Sequence, residues 1–298
     1  MAETFNPDKV LVGDLSNGVF TDGQEVEILK GLRETSAVIE LGQYQEMTGR
    51  TKDFNFLTNT EGAYWVGEGE KVQTGKDTLV SATLVAKKLS KNIIVSREFL
   101  NYTWSDFFEE VKPKIVEAFN QAIDDAVIRG VNNPFAQSVE GVVTDNGNVV
   151  EGAIDFDAIN DAFDLVYDSN NQPNAVISTL RNRTALRNAV DASTNLVYDS
   201  STNQLDGVQV QDIASLPKGE LYVGDFDYVY YGIPQGVEFF VLTEGTISDV
   251  SGSDGNPINL GERQLIALQP TLYFGALIVK DDAFAKIKPA TTEEPGVE

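Results

Sequence analysis

Carboxylates, lysines, tyrosines, serines and threonines are the side chains this protein offers for acid–base or nucleophilic chemistry. It contains no histidine and no cysteine. That removes His-dependent triads, thiolate nucleophiles, ordinary zinc sites and every disulfide. Histidine is the commonest general acid–base group at neutral pH, so its absence weighs against catalysis altogether.

The motifs that survive this filter are weak. Gly67-Glu68-Gly69 opens like a dinucleotide fingerprint, but Val72 stands where the third glycine belongs. Gly69 through Gly75-Lys76-Asp77 has one residue too many for a phosphate loop, and Asp77 replaces the hydroxyl that would hold magnesium. Asp155, Asp157 and Asp161 miss the calcium-loop pattern because Ile159 occupies a ligand position. Glu109-Glu110 reads as a partner of a helix dipole in preference to a glycosidase pair. Asp249 and Asp254 are a pair that could hold a cation between subunits, and Arg181, Arg183 and Arg187 read as a solvated helix face in preference to a ligand site. No cofactor or metal is expected. A carboxylate-based hydrolase stays open as a remote alternative.

The elements carrying these residues are more informative than the residues. From Tyr44 a polar hairpin runs out over about 43–58, turns through a tip rich in glycine (Gly62, Gly67, Gly69, Gly75), and returns over 79–95 without Pro or Gly. At roughly 3.3 Å per residue, the returning arm as one strand spans roughly 55 Å. Such an arm projects beyond a single core and needs a neighbour to lie on. Lys87, Lys88 and Lys91 on it serve either as edge protection or as contacts to an acidic neighbour. Tyr64 and Trp65 sit at the tip, where they either fold back or bury against another subunit.

Around the hairpin, residues 1–21 read as an extended arm, 22–32 as a short helix and 36–41 as a short strand. Ser105 caps a predicted helix over 105–129, with Phe108, Val111, Ile115, Phe119, Ala122 and Ala126 on one face. Pro113 should kink or split it, and Gly130 should stop it. Residues 131–153 read as a looser segment. Asp155 then caps a helix bearing Phe156, Ile159, Phe163 and Val166. Residues 174–178 form a buried strand, 180–191 a helix and 194–204 a loop. Short strands follow at 208–210, 221–223 and 228–231. Longer ones follow at 238–243 and 262–274, joined by a loop over 248–257, with a further strand at 276–280. No internal repeat is visible.

Composition bounds the reading. With 298 residues and 42% hydrophobic content, one large or two modest domains with a real core are expected. Forty-six acids against 22 bases give a net charge of −24, which repels a polyanion on average and disfavours a phosphate-gripping nucleic-acid binder. No run of about 18 apolar residues is present, so no membrane span is expected. Met1-Ala2-Glu3-Thr4-Phe5 has neither the basic nor the apolar region of a signal peptide.

An ordered series of segments resembles the tailed-bacteriophage major capsid protein family. It comprises Ala63-Tyr64-Trp65-Val66-Gly67-Glu68-Gly69, Leu84-Val85-Ala86-Lys87-Lys88-Leu89, Ile93-Ile94-Val95-Ser96-Arg97-Glu98-Phe99-Leu100 and Asp124-Asp125-Ala126-Val127-Ile128-Arg129-Gly130. It continues through Asn174-Ala175-Val176-Ile177-Ser178, Leu205-Asp206-Gly207-Val208-Gln209-Val210, Gly224-Asp225-Phe226 and Asp282-Ala283-Phe284-Ala285-Lys286-Ile287. The resemblance implies an α+β fold with an N-terminal arm (1–41), a long E-loop hairpin (42–95) and a peripheral domain with a spine helix (96–149). An axial domain (150–235), return strands of the peripheral domain (236–288) and a tail (289–298) complete it.

What the resemblance implies is structural work. Subunits would form hexamers and pentamers that close into an icosahedral shell around double-stranded DNA, without sequence-specific binding. The shell would be part of the virion and would assemble in the host bacterial cytoplasm. A portal is an expected partner. Many relatives carry an N-terminal scaffolding segment that is later removed; here about 35 residues precede the hairpin, so a separate scaffolding protein, or none, is expected. Tyr64, Trp65, Val66, Glu68, Lys71 and Lys76 at the tip are the expected inter-subunit contacts. An encapsulin-like compartment shell is the alternative on the same fold.

Overall fold

The computed structural model describes residues 32, 36–59, 78–190, 196–251 and 257–290. The 22–32 helix lies outside them except for Leu32, which is helical and buried.

The first described element is a helix, α1 (Ala37–Leu41), where Val38 and Ile39 suggest a strand. Ser36 caps it by accepting the Ile39 N–H at 3.4 Å. A distant carboxylate, Asp124, accepts the Ala37 and Val38 N–H groups at 3.3 and 3.2 Å. Tertiary bonds to the first turn thus override the β-propensity of its side chains.

A two-residue strand, β1 (Gln43–Tyr44), leads to the hairpin of β2 (Thr51–Asn59) and β3 (Thr78–Val85), paired from Thr51↔Val85 to Asn59↔Thr78. Phe54 and Phe56 lie on one face, as their spacing predicts, with centroids 6.0 Å apart. Thr51, Asp53 and Asn55 alternate outward. The returning arm is not one projecting strand. It breaks at Ala86, and again after β4 (Lys87–Ser90) and before β5 (Ile93–Ser96). Both later pieces pair with a long strand far down the chain, β16 (Leu265–Ile278). The projecting part is therefore the β2–β3 pair, and the rest of the arm is woven into the core.

From β5 the chain passes directly into α2 (Arg97–Val127), 31 residues and roughly 47 Å at 1.5 Å each. It begins eight residues before the predicted cap at Ser105. Pro113 lies inside it without interrupting it, at an exposed position where water can satisfy the freed carbonyl. Val111, Ile115, Phe119, Ile123 and Val127 form the buried stripe. The chain turns at Gly130 (φ +69°), where a Cβ would sit 2.7 Å from Ser138 Oγ.

The segment read as loose contains α3 (Val139–Asn146), capped by Ser138 and closed by Gly147 at φ +73°, and a short strand β6 (Val149–Glu151). Then come α4 (Phe156–Asp168), capped by Asp155 as expected, and β7 (Ala175–Ser178), fully buried. A 3₁₀ turn (Leu180–Asn182) precedes α5 (Arg183–Asn188). The expected loop at 194–204 holds a small strand pair, β8 (Tyr198–Asp199) and β9 (Gln204–Leu205). The strands β10 (Val208–Asp212), β11 (Leu221–Gly224), β12 (Val229–Gly232) and β13 (Glu238–Leu242) follow. Next, β14 (Thr246–Ser251) and β15 (Pro257–Asn259) form a separate ribbon where a loop is predicted. The strands expected at 262–274 and 276–280 are one, β16, running through Gly275. The last strand is β17 (Phe284–Lys288).

Two main sheets result. The six-stranded sheet has β16 at its centre, with β12 and β13 along one side and β4 and β5 along the other. Its core faces α1 and α2 through Leu268, Leu272 and Phe274. The seven-stranded sheet has the order β6-β17-β11-β7-β10-β9-β8. Its residues alternate between two cores as strand period demands. Tyr222, Ile177 and Phe284 face the α2–α3 side, whereas Leu221, Val223, Val176, Ala285 and Ile287 face α4. The chain after β16 thus crosses into the second sheet, where β17 lies between β6 and β11.

Candidate inter-subunit surface

All six residues expected to touch a neighbour, Tyr64, Trp65, Val66, Glu68, Lys71 and Lys76, lie outside the described residues. The hairpin that carries them is anchored firmly. Phe54 packs edge-on against Tyr230 of β12 at 5.6 Å, and Phe56 lies 6.2 Å from the same ring. Lys52 extends over Phe54 at 5.0 Å. Beneath them, Met47, Leu84 and Ala86 form a small core of their own. Thr83 donates across the pair to Asp53 at 2.6 Å. These contacts fix the direction in which the hairpin leaves the sheet.

The base of the hairpin adjoins a groove. Two cavities of about 500 and 300 Å³ share Lys87, Pro134 and Phe135. The larger lies between β4, the loop after α2, and the α2 face bearing Ala118 and Ala122. Val131, 41% exposed, lines it. Lys87 and Lys88 stand on its rim, and Asp125, also at the rim, pairs with Arg129 at 3.0 Å.

Other expected chemistry is dispersed. Arg183 pairs with Asp212 at 2.5 Å, whereas Arg181 and Arg187 are exposed, so the three arginines do not converge. Asp155 is spent as the α4 cap, and the described residues contain no group of three acids placed to hold a metal. Asp254 lies outside the described residues. No helix among them is long and apolar enough to cross a membrane.

Two buried polar clusters, which residue spacing does not single out, join the elements behind this surface. Asp124, 5% exposed, receives the Ser36 hydroxyl at 2.8 Å besides the α1 amides. Burial raises its pKa to about 6 in spite of these donors. Lys286, also 5% exposed, reaches Glu140 at 2.8 Å and Glu220 at 3.3 Å, and lies over the Tyr222 ring at 5.2 Å. Tyr222 donates to the same Glu140 oxygen at 2.6 Å; burial and that carboxylate push its hydroxyl pKa far up. The available signal was a lysine at an inward strand position, two residues after buried Phe284.

A hairpin standing off one sheet, a long helix laid across it and a second sheet layered between helices define the phage capsid fold. The comparisons agree. The model of the phage capsid family matches residues 6–288, and the chain belongs to that family. The major capsid protein of Staphylococcus phage 80alpha is 40% identical, with 99% of this chain and 93% of that protein covered. A probable major capsid protein of Mycobacterium phage L5 is 22% identical over 95% of this chain and 93% of its own length. Among solved structures, one from Microbacterium phage Oxtober96 superposes with a TM-score of 0.71 at 24% identity, covering 86% of this chain and 91% of that one. The capsid of an empty GTA particle gives a TM-score of 0.61 at 16% identity, over 86% and 90%.

Proposed function

We propose that this chain is the major capsid protein of a tailed phage, a structural subunit and not an enzyme. The observation that carries this is its 40% identity, across 99% of its length, to a protein with that role. Subunits assemble through hexamers and pentamers into an icosahedral shell, a cyclic, heterologous mode of closure. The arm is residues 1–41, the E-loop 42–95, the peripheral domain 96–149 with 236–288, the axial domain 150–235 and the tail 289–298. Tyr64, Trp65, Val66, Glu68, Lys71 and Lys76 at the E-loop tip contact the adjacent subunit. The fit of an arm anchored at its base by Phe54 and Phe56 supports this reading.

The shell is that of a virion, assembles in the host bacterial cytoplasm with a portal and a separate scaffolding protein or none, and encloses double-stranded DNA without reading its sequence. A net charge of −24 suits a wall that contains a polyanion without adhering to it. Negative-stain microscopy of the expressed chain, alone and with the neighbouring scaffold gene, tests the proposal. Closed shells in either preparation are expected, in higher yield with the scaffold. Monomers or open rings alone in both would overturn it.

A further inference from the structure

The open edge of the six-stranded sheet has a chemistry of its own. β4 pairs with β16 from Thr271↔Ser90 to Phe274↔Lys87, and no other described strand pairs with it. Beside that edge lies the groove of about 500 Å³ floored by Ala118, Ala122, Phe135 and Phe274, with Val131 exposed along it. Its volume is within the range of pockets that bury a compact ligand or an anchoring side chain. Its rim is cationic, from Lys87 and Lys88, with Lys91 just beyond on the same arm. None of the three pairs with a carboxylate among the described residues. In a chain with 46 acids, three lysines within five residues left without a counter-charge mark a place prepared for an acidic partner.

We infer that this groove receives residues 61–70 of a second copy of the chain. The inference rests on the proposal that the E-loop tip contacts a neighbour, and adds where on that neighbour it binds. Tyr64, Trp65 and Val66 enter the apolar floor, and Glu61, Glu68 and Glu70 face Lys87, Lys88 and Lys91. Among the stretches outside the described residues, this is the one that sets two adjacent aromatics between glutamates. An aromatic anchor in an apolar pocket with charges at the rim is the arrangement that concentrates binding energy at interfaces. Sharing the 61–70 segment with its own groove is disfavoured by reach. Thr78 and Lys87 are nine residues apart along the arm, roughly 30 Å, whereas Trp65 is six residues past Asn59 and extends at most roughly 20 Å.

The test is a photo-cross-link. A benzoylphenylalanine replaces Trp65, and particles are assembled from an equal mixture of that chain and ¹⁵N-labelled wild-type chain. Cross-linked peptides are then located by mass. Attachment to labelled residues 118–135 is expected. Attachment to another region of the labelled chain overturns the groove and leaves the tip contact standing. Attachment within the same chain, or none, overturns both. A charge exchange supplies a second reading. K87E/K88E subunits should give at least a tenfold lower particle yield, and adding E68K/E70K should restore it to within twofold. Normal assembly by K87E/K88E, with folding confirmed by circular dichroism, would also overturn the groove.

Discussion

Ser36 donates its hydroxyl to Asp124 across 2.8 Å, joining the turn before α1 to the last turns of the long helix α2. The two residues are 88 positions apart in sequence, and both are buried. With the Ala37 and Val38 amides on the same carboxylate, one side chain satisfies the donors of a five-residue helix that has little stability of its own. This joint is where the N-terminal segment is fastened to the core.

Its strength should depend on pH in the direction opposite to most carboxylates. Burial raises the Asp124 pKa from 3.8 to about 6, so the folded state holds the proton more tightly than the unfolded chain. The contribution is fully present below pH 3.8 and is lost as pH rises through 6. Between pH 7.5 and 5 the wild type should gain about 1 kcal/mol relative to Asp124→Asn, which cannot titrate. Urea midpoints of the two proteins at both pH values measure this. A constant difference would show that the carboxylate is not desolvated as described. Asp124→Ala should cost roughly 1–3 kcal/mol at pH 7 by leaving three donors unanswered.

Lys286 is the second fastening. It is held by Glu140 on α3 and by Glu220 just before β11, with the Tyr222 ring beneath it. Removing the cation leaves two carboxylates facing one another under partial burial. Lys286→Ala should therefore destabilise by roughly 2–4 kcal/mol. Replacing the whole cluster is a different matter, since well-packed neutral groups avoid the desolvation of three charges. The triple variant Lys286→Met, Glu140→Gln, Glu220→Gln should recover more than half of that loss in chemical denaturation. If the triple is as unstable as Lys286→Ala, the cost lies in packing and not in charge.

Gly224 ends β11 against β17. A Cβ there would lie 2.4 Å from Phe284 Cδ1 and 2.9 Å from the Ala283 carbonyl oxygen. The ring could rotate away, but the carbonyl belongs to the backbone and accepts the Asp225 N–H at 3.1 Å. Gly224→Ala should cost roughly 1–3 kcal/mol through overpacking, and Phe284→Leu in the same chain should recover only part of it. Thermal melting of the single and double variants decides this; full recovery would place the strain on the ring alone.

What was legible in the sequence was what local chemistry determines. Asp155 caps α4, the 174–178 run is a buried strand, and the apolar spacing through Ile115, Phe119 and Ala126 marks the inner face of α2. What was not legible depends on partners far away. The break of the returning arm at Ala86 has no proline or glycine to announce it; it is set by pairing with β16, some 180 residues later. Gly275 suggested a break in β16, yet it is a close-approach glycine, with the Ala86 amide 3.3 Å from where a Cβ would stand. Ser138 and Gly147 did announce α3, but an Asn- and Gly-rich neighbourhood obscured them. The tip contacts depend on a second copy, which no single-chain pattern specifies.

The E-loop tip can be removed without touching the core. Asn59 and Thr78 are directly opposite each other where β2 and β3 leave the sheet-like pairing, so an Asn-Gly turn can replace residues 60–77 and close the hairpin. The anchoring contacts of Phe54, Phe56 and Leu84 all lie on the retained side. The shortened subunit should therefore melt within about 3 °C of the wild type, an effect of under 1 kcal/mol for a chain of this size. Assembly should fail, because the neighbour loses its aromatic anchor, and sedimentation should show monomers or small oligomers in place of shells. Normal shells from the shortened chain would mean that the tip does not hold subunits together. A large fall in melting temperature would mean instead that the tip packs on its own subunit.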